Sequence, residues 1–197
     1  ELLCRISDID SGTISIGGEN INNLNLYDLR SAIGYVPQES FLFSDSIYNN
    51  IAFGKEECTE VEVIHATKKA GIYNNIKQFK NQFKTIIGER GVTLSGGQKQ
   101  RLSIARALIR KPKIMLLDDC LSAVDIKTEE LILNNIKEQS QNNTCIIISH
   151  RISSIKHANE IILLHEGEII EQGDHDTLVK NNGEYNKIFK KQLIESI

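Results

Sequence analysis

Along the chain, short β-branched, apolar runs alternate with longer amphipathic stretches. The apolar runs predict strands over Thr13–Ile16, Ile33–Val36, Ile114–Leu117, Cys145–Ile148, Glu160–Leu164 and Ile169–Glu171. Apolar residues recurring three and four apart predict helices over Glu60–Phe79, Gly97–Arg110, Lys127–Gln139 and Glu184–Glu195, with shorter ones at Leu26–Ser31 and Asp176–Lys180. Two runs, Ile114 to Leu117 and Cys145 to Ile148, are apolar throughout, as expected of parallel strands buried on both faces. Such alternation predicts α/β layers. Between Gln38 and Arg110 only helical and loop patterns occur, which predicts an inserted helical subdomain. The expected organisation is an α/β core over 1–37 and 109–197, interrupted by a helical subdomain over 38–108.

Composition narrows the function. At 197 residues with 40% hydrophobic content, the chain can bury the core of one domain. A net charge of −3 offers no bulk electrostatic attraction to nucleic acid. Apolar runs such as Ile161–Leu164 are four residues long, against roughly 20 for a membrane span. A membrane role would therefore come through a partner or a segment outside this chain. Cys4, Cys58, Cys120 and Cys145 form no CxxC pair, a spacing that suits a reducing compartment better than a zinc site or disulfide framework. Asn142-Asn143-Thr144 matches a glycosylation acceptor and is read as a polar turn. The opening residues Glu1–Ile6 read as the interior of a helix, which suggests a truncated start.

The chemistry concentrates in a few motifs. Leu94-Ser-Gly-Gly-Gln98 contains a capping box, Ser95 with Gln98, that opens the helix running to Arg110. A cap alone leaves the paired glycines Gly96 and Gly97 unexplained. Glycines at a helix start let the backbone approach a ligand closely, and the helix N-terminus favours phosphate. Ile114-Met-Leu-Leu-Asp118-Asp119 places carboxylates at the C-terminal end of a strand, the ligand edge of an open α/β sheet. Leu121-Ser-Ala-Val-Asp125 reads alone as a loop ending in a helix N-cap. His150 follows a strand end, and Gln38 follows Gly34-Tyr-Val-Pro37. His65, His157, His165 and His175 are read as structural.

In this order the motifs resemble the ATP-binding domain of ABC transporters. Leu94–Gln98, continued through Leu108, resembles the signature motif; Ile114–Asp119 resembles a Walker B strand; Leu121–Asp125 resembles the D-loop. The resemblance runs from the first residues through Gly167–Gly173 and the last helix. It implies a P-loop NTPase (RecA-like) core with an inserted helical subdomain. It implies ATP and Mg²⁺ as ligands, with Asp118 and Gln38 serving the metal. Asp119, His150 and Gln38 become the catalytic residues, acting on the attacking water and the γ-phosphate. Ser95, Gly96, Gly97, Gln98 and Asp125 become nucleotide contacts made across a head-to-tail pair of such domains. The implied partners are that second domain, as a homo- or heterodimer, and the transmembrane domains of an exporter, with no nucleic acid. The implied location is the cytoplasmic face of the cell membrane. Phe41–Ile51 and Gly88-Glu-Arg-Gly91 resemble exporter segments, the latter touching transmembrane coupling helices.

Two departures matter. No G-x-x-x-x-G-K-[ST] phosphate loop occurs, and Gly54-Lys55-Glu56 does not substitute for one. The loop is expected upstream, and this chain alone is expected not to turn over ATP. The residue after the Walker B aspartate, Glu in the family, is Asp119. Losing a methylene retracts a carboxylate by roughly 1.5 Å, and a misplacement of about 1 Å costs ~10²-fold in rate. A weak site beside an intact signature resembles one half of a heterodimeric exporter, particularly the Mdl-type multidrug group. The alternatives are a non-catalytic regulatory ABC subunit and a soluble ABC ATPase.

Overall fold

The computed structural model describes residues 1–53, 55, 57–88, 94–139 and 143–195. It divides into two units, Glu1–Ile146 and Ile147–Ile197.

The chain enters through a single 3-10 turn, Leu2–Cys4, ended by Arg5 in the left-handed region (φ 48°). The backbone reversal at Arg5 stops helical propagation there, so no helix runs through Ile6 as Glu1–Ile6 had suggested. The strand expected at Thr13–Ile16 shortens to β1 (Ser15–Ile16), which pairs antiparallel with β2 (Glu19–Asn20). Gly17 and Gly18, both at positive φ (61° and 85°), make the tight turn between them. α1 (Leu26–Ala32) is capped by the Asn25 side chain and runs into β3 (Ile33–Val36).

Helices follow. α2 (Ile47–Ala52) starts at the Ser46 cap and was not evident in the hydrophobic pattern. The single helix expected over Glu60–Phe79 is two, α3 (Glu60–Lys69) and α4 (Tyr73–Gln78). Gly71 breaks it at a φ of 67°, and a Cβ there would press to 3.0 Å against Thr128 Cγ2. α5 (Gly96–Leu108) buries Leu102, Ile104, Ala105 and Leu108 and packs against α2, α3 and β3. Its two arginines reach neighbouring backbones. Arg101 donates to the Gly71 carbonyl (2.7 Å), and Arg106 donates to the carbonyls of Asn50 and Phe41 (3.0 Å each).

β4 (Ile114–Asp118) pairs in parallel with β3, Ile33 opposite Ile114 and Val36 opposite Leu117. Gly34 is required there, since a Cβ would lie 2.6 Å from Pro112 Cγ. α6 (Ile126–Gln139) leads to β5 (Thr144–Ile148), and the sheet order is β3-β4-β5. β5 is half-buried with Ile148 51% exposed, not buried on both faces as its apolar run suggested. Among the described residues β5 has one strand neighbour, β4. Cys4, Ile21, Leu29, Ile33 and Leu116 form the core beneath this sheet.

In the second unit, α7 (Ile152–Ile155) precedes an antiparallel hairpin of β6 (Ile161–His165) and β7 (Glu168–Gly173), followed by α8 (His175–Lys180) and α9 (Glu184–Glu195). Glu166 and Gly167, both at positive φ, turn the hairpin. Ile152, Ile161, Leu178 and Tyr185 form its core, with Ile188 and Phe189 of α9 against it. No helix among the described residues is long and apolar enough to cross a membrane.

Candidate nucleotide site

Parallel pairing sets the geometry of the first unit's site. Because β3 and β4 run side by side in register, the residues at their C-terminal ends emerge on the same edge. Tyr35 OH donates to Asp118 Oδ2 at 3.3 Å, and Gln38 Nε2 donates to Asp119 Oδ2 at 3.4 Å. Both carboxylates are half-buried and Gln38 is exposed. Asp119 sits at a φ of 43°, in the left-handed region that Asp and Asn tolerate better than most residues. Burial first, then the Asp118 carboxylate, pushes the Tyr35 phenol above its ordinary pKa, so it remains a donor. Burial pushes the Cys120 thiol up to about 12. Beside the two carboxylates it is therefore a small apolar group, not a nucleophile.

The donor set suits Mg²⁺, a hard cation that prefers oxygen and is often held by one or two carboxylates together with substrate phosphates. Asp118 and Asp119 are such a pair. No group of three or more His, Cys, Asp or Glu able to hold a metal occurs among the described residues.

The signature turn is built as its sequence dictates. Ser95 Oγ accepts from Gln98 N–H (3.3 Å) while Gln98 Oε1 accepts from Ser95 N–H (3.1 Å), a complete capping box at the start of α5. Ser95 and Gly96 are exposed, and Gly97 and Gln98 half-buried. This turn also touches the D-loop of the same chain. Gln100, buried on α5, donates to Ser122 Oγ (3.3 Å) and accepts from Ala123 N–H (3.0 Å). Ser122 Oγ in turn donates to the Asp119 carbonyl (3.1 Å). A hydrogen-bonded chain thus joins the signature helix to the backbone of Asp119. Asp125 accepts from Thr128 N–H (3.0 Å) at the start of α6, and the Thr128 hydrogen bonds hold its carboxyl below the usual range.

His150 lies in the second unit, exposed, just past β5. Its carbonyl accepts from Gln192 Nε2 at 2.6 Å, and Gln192 Oε1 accepts from Ile152 N–H at 2.9 Å. The motif residues thus fall into three local groups: Gln38 with Asp118 and Asp119, Ser95–Gln98 with the D-loop, and His150 with α9. Three contributors were not singled out in the sequence: Tyr35, Gln100 and Gln192. Gln100 had a usable signal, a polar residue on the buried face of a helix. Of the exporter-like segment Gly88–Gly91, residues 89–91 lie outside the described residues, as do Gly54 and Glu56 of the Gly54–Glu56 run and Asn142 of the polar triplet.

With carboxylates and an amide at this sheet edge, and a capped glycine turn opening α5, the chain belongs to the ABC transporter family. The family model described as ABC transporter matches residues 1–122. The fold is accordingly that of a P-loop NTPase. Among individual proteins, the chain is 40% identical to "ABC transporter B family member 24, mitochondrial" of Arabidopsis thaliana, over 97% of this chain and 28% of the relative. It is 44% identical to a probable multidrug resistance ABC transporter ATP-binding/permease protein, YheI, of Bacillus subtilis, over 93% of this chain and 31% of the relative. A solved bacterial Atm1-family ABC exporter with ATP bound superposes with a TM-score of 0.94 at 40% identity, covering 98% of this chain and 34% of that one. The chain thus spans about a third of the length of these relatives.

Proposed function

We propose that, within the full-length protein that supplies the phosphate loop, this chain helps bind and hydrolyse Mg²⁺·ATP at the cytoplasmic face of a membrane, as part of the motor of an exporter whose transmembrane domains lie outside this segment. The observation that carries the reading is the convergence of Gln38 on Asp119 beside the Tyr35–Asp118 pair. Residues 1–37 and 109–197 serve as the ATP-binding core and 38–108 as the helical subdomain bearing the signature. Asp118 and the Gln38 amide oxygen would hold Mg²⁺, which would supply charge neutralisation at the phosphates. Asp119 accepts the proton of the water that attacks the γ-phosphorus, and the Gln38 amide orients both. His150 hydrogen-bonds the γ-phosphate. The work is positioning and charge stabilisation, not covalent catalysis.

A second domain pairs head to tail with this one. Ser95–Gln98 and Asp125 then meet the ATP held by the partner. The shorter reach of Asp119 makes this chain's own site the slow one, in the manner of one half of a heterodimer. Exposed Phe41 and Phe53, joined through the Phe43 ring (centroids 5.1 and 4.4 Å away), offer an apolar surface for the transmembrane domains. They favour an exporter over a soluble ABC ATPase.

The test is Mg²⁺-dependent photolabelling of this chain by an azido-ATP in the full-length protein. Asp118→Ala should abolish the Mg²⁺-dependent part. Unchanged labelling would overturn the assignment.

A further inference from the structure

α9 carries a stripe at helical spacing: Tyr185, Ile188, Phe189 and Gln192 fall at i, i+3, i+4 and i+7, and therefore share a face. The first three belong to the apolar core of the second unit, with Tyr185 1% exposed. The fourth is an amide where the stripe calls for another hydrophobe. What it faces explains the exception. Gln192 Nε2 donates to the carbonyl of His150 at 2.6 Å, and its Oε1 accepts from the N–H of Ile152 at 2.9 Å. One side chain thus grips the backbone on both sides of Arg151. Ile152 opens α7, and Arg151, its N-cap residue, makes no side-chain cap. The missing cap comes from α9 instead.

The grip is firmly based. The Glu171 carboxylate accepts from the backbone N–H of Glu184 and of Tyr185 at the N-terminus of α9, the latter at 3.2 Å. Gly183 leaves room for it, since a Cβ there would lie 2.5 Å from Glu171 Oε1. Tyr185 OH is within 2.8 Å of His175 Nδ1. Two turns further along, at ~1.5 Å per residue, α9 delivers Gln192 to the histidine loop. Within that loop the Arg151 N–H also donates to Ser149 Oγ at 3.0 Å.

We propose that Gln192 is a positioning residue for His150, tethering the His150 carbonyl so that the imidazole stands ready for the γ-phosphate. This rests on the proposed γ-phosphate role of His150. A tether matters because an exposed side chain on an unheld loop samples many positions, and misplacement of about 1 Å is enough to lose most of a contact's effect.

The experiment compares the affinity of this chain for a slowly hydrolysed ATP analogue and for ADP, by competition against photolabelling in the full-length protein. Only the analogue offers a γ-phosphate, so the ratio reports His150, and general damage would weaken both. Gln192→Met should weaken the analogue about 10-fold, the scale of one hydrogen bond to a charged group, and leave ADP within about twofold. Gln192→Glu should behave like Gln192→Met, because it keeps the acceptor for Ile152 N–H but loses the donor to His150. Gln192→Met added to His150→Ala should cause no further loss. The tether is overturned if Gln192→Glu behaves as wild type, if analogue and ADP weaken together, or if the double variant is weaker than His150→Ala. His150→Ala that leaves the ratio unchanged overturns the γ-phosphate reading itself, and the tether with it.

Discussion

A methyl group built on Gly97 would lie 2.5 Å from the carbonyl oxygen of Ala123, so the signature turn and the D-loop of one chain meet backbone to backbone. At Gly96, one residue earlier, the same methyl would meet only Ala123 Cβ, at an ordinary 3.5 Å. The paired glycines therefore have different reasons. Gly97 is needed for contact within the chain, whatever it does for phosphate. Gly97→Ala should destabilise by about 1–3 kcal/mol through overpacking, while Gly96→Ala should be neutral or slightly stabilising in the first helical turn. Thermal inactivation midpoints of the two variants check this, and equal midpoints would count against it.

Tyr35 predicts a metal effect without a folding effect. Tyr35→Phe keeps the ring and removes the hydroxyl that donates to Asp118 Oδ2. Partners behind a metal-binding carboxylate commonly contribute 10-fold or more to metal affinity. Mg²⁺ titration of ATP binding should shift to roughly 10-fold higher metal, and an unshifted titration would remove Tyr35 from the site.

Acid sensitivity should appear at α3. A hydrogen bond from Lys55, then one from Thr59 N–H, lower the Glu62 carboxyl to about 2 from its ordinary 4.5. A depressed carboxyl contributes stability that is fully present above the unfolded pKa and is lost as pH falls through the folded one. Glu62→Gln should therefore be less stable than wild type at neutral pH, with the gap narrowing only below about 4.5 and closing toward about 2. Unfolding midpoints measured from pH 7 downward test this. A gap independent of pH would contradict it.

Much of this was legible in the sequence because motif and element coincide. Ile114–Asp119 is both an apolar strand and a carboxylate edge, and Ser95–Gln98 is both a cap and a glycine turn; each was placed within a residue or two. What escaped depends on long-range pairing. Gly71 splits a helical pattern that looked continuous, because a close approach to Thr128 and a positive φ override periodicity. Tyr35 and Gln192 act on residues 83 and 42 positions away, a relation no local pattern carries.

The central claim is that this chain's signature serves an ATP other than the one facing its own carboxylates. Gly96 is the better place to test it, since a Cβ there meets only Ala123 Cβ, at an ordinary 3.5 Å, across from the helix. Gly96→Asp would set a negative charge at the helix N-terminus where phosphate is expected. Asp119→Asn would remove a base whose reach is already short. Steady-state ATPase of the assembled full-length transporter, with its partner subunit where one exists, should nearly vanish in Gly96→Asp and largely survive in Asp119→Asn. If Asp119→Asn proves as damaging as Gly96→Asp, Asp119 is a fully working base and the asymmetric account is wrong.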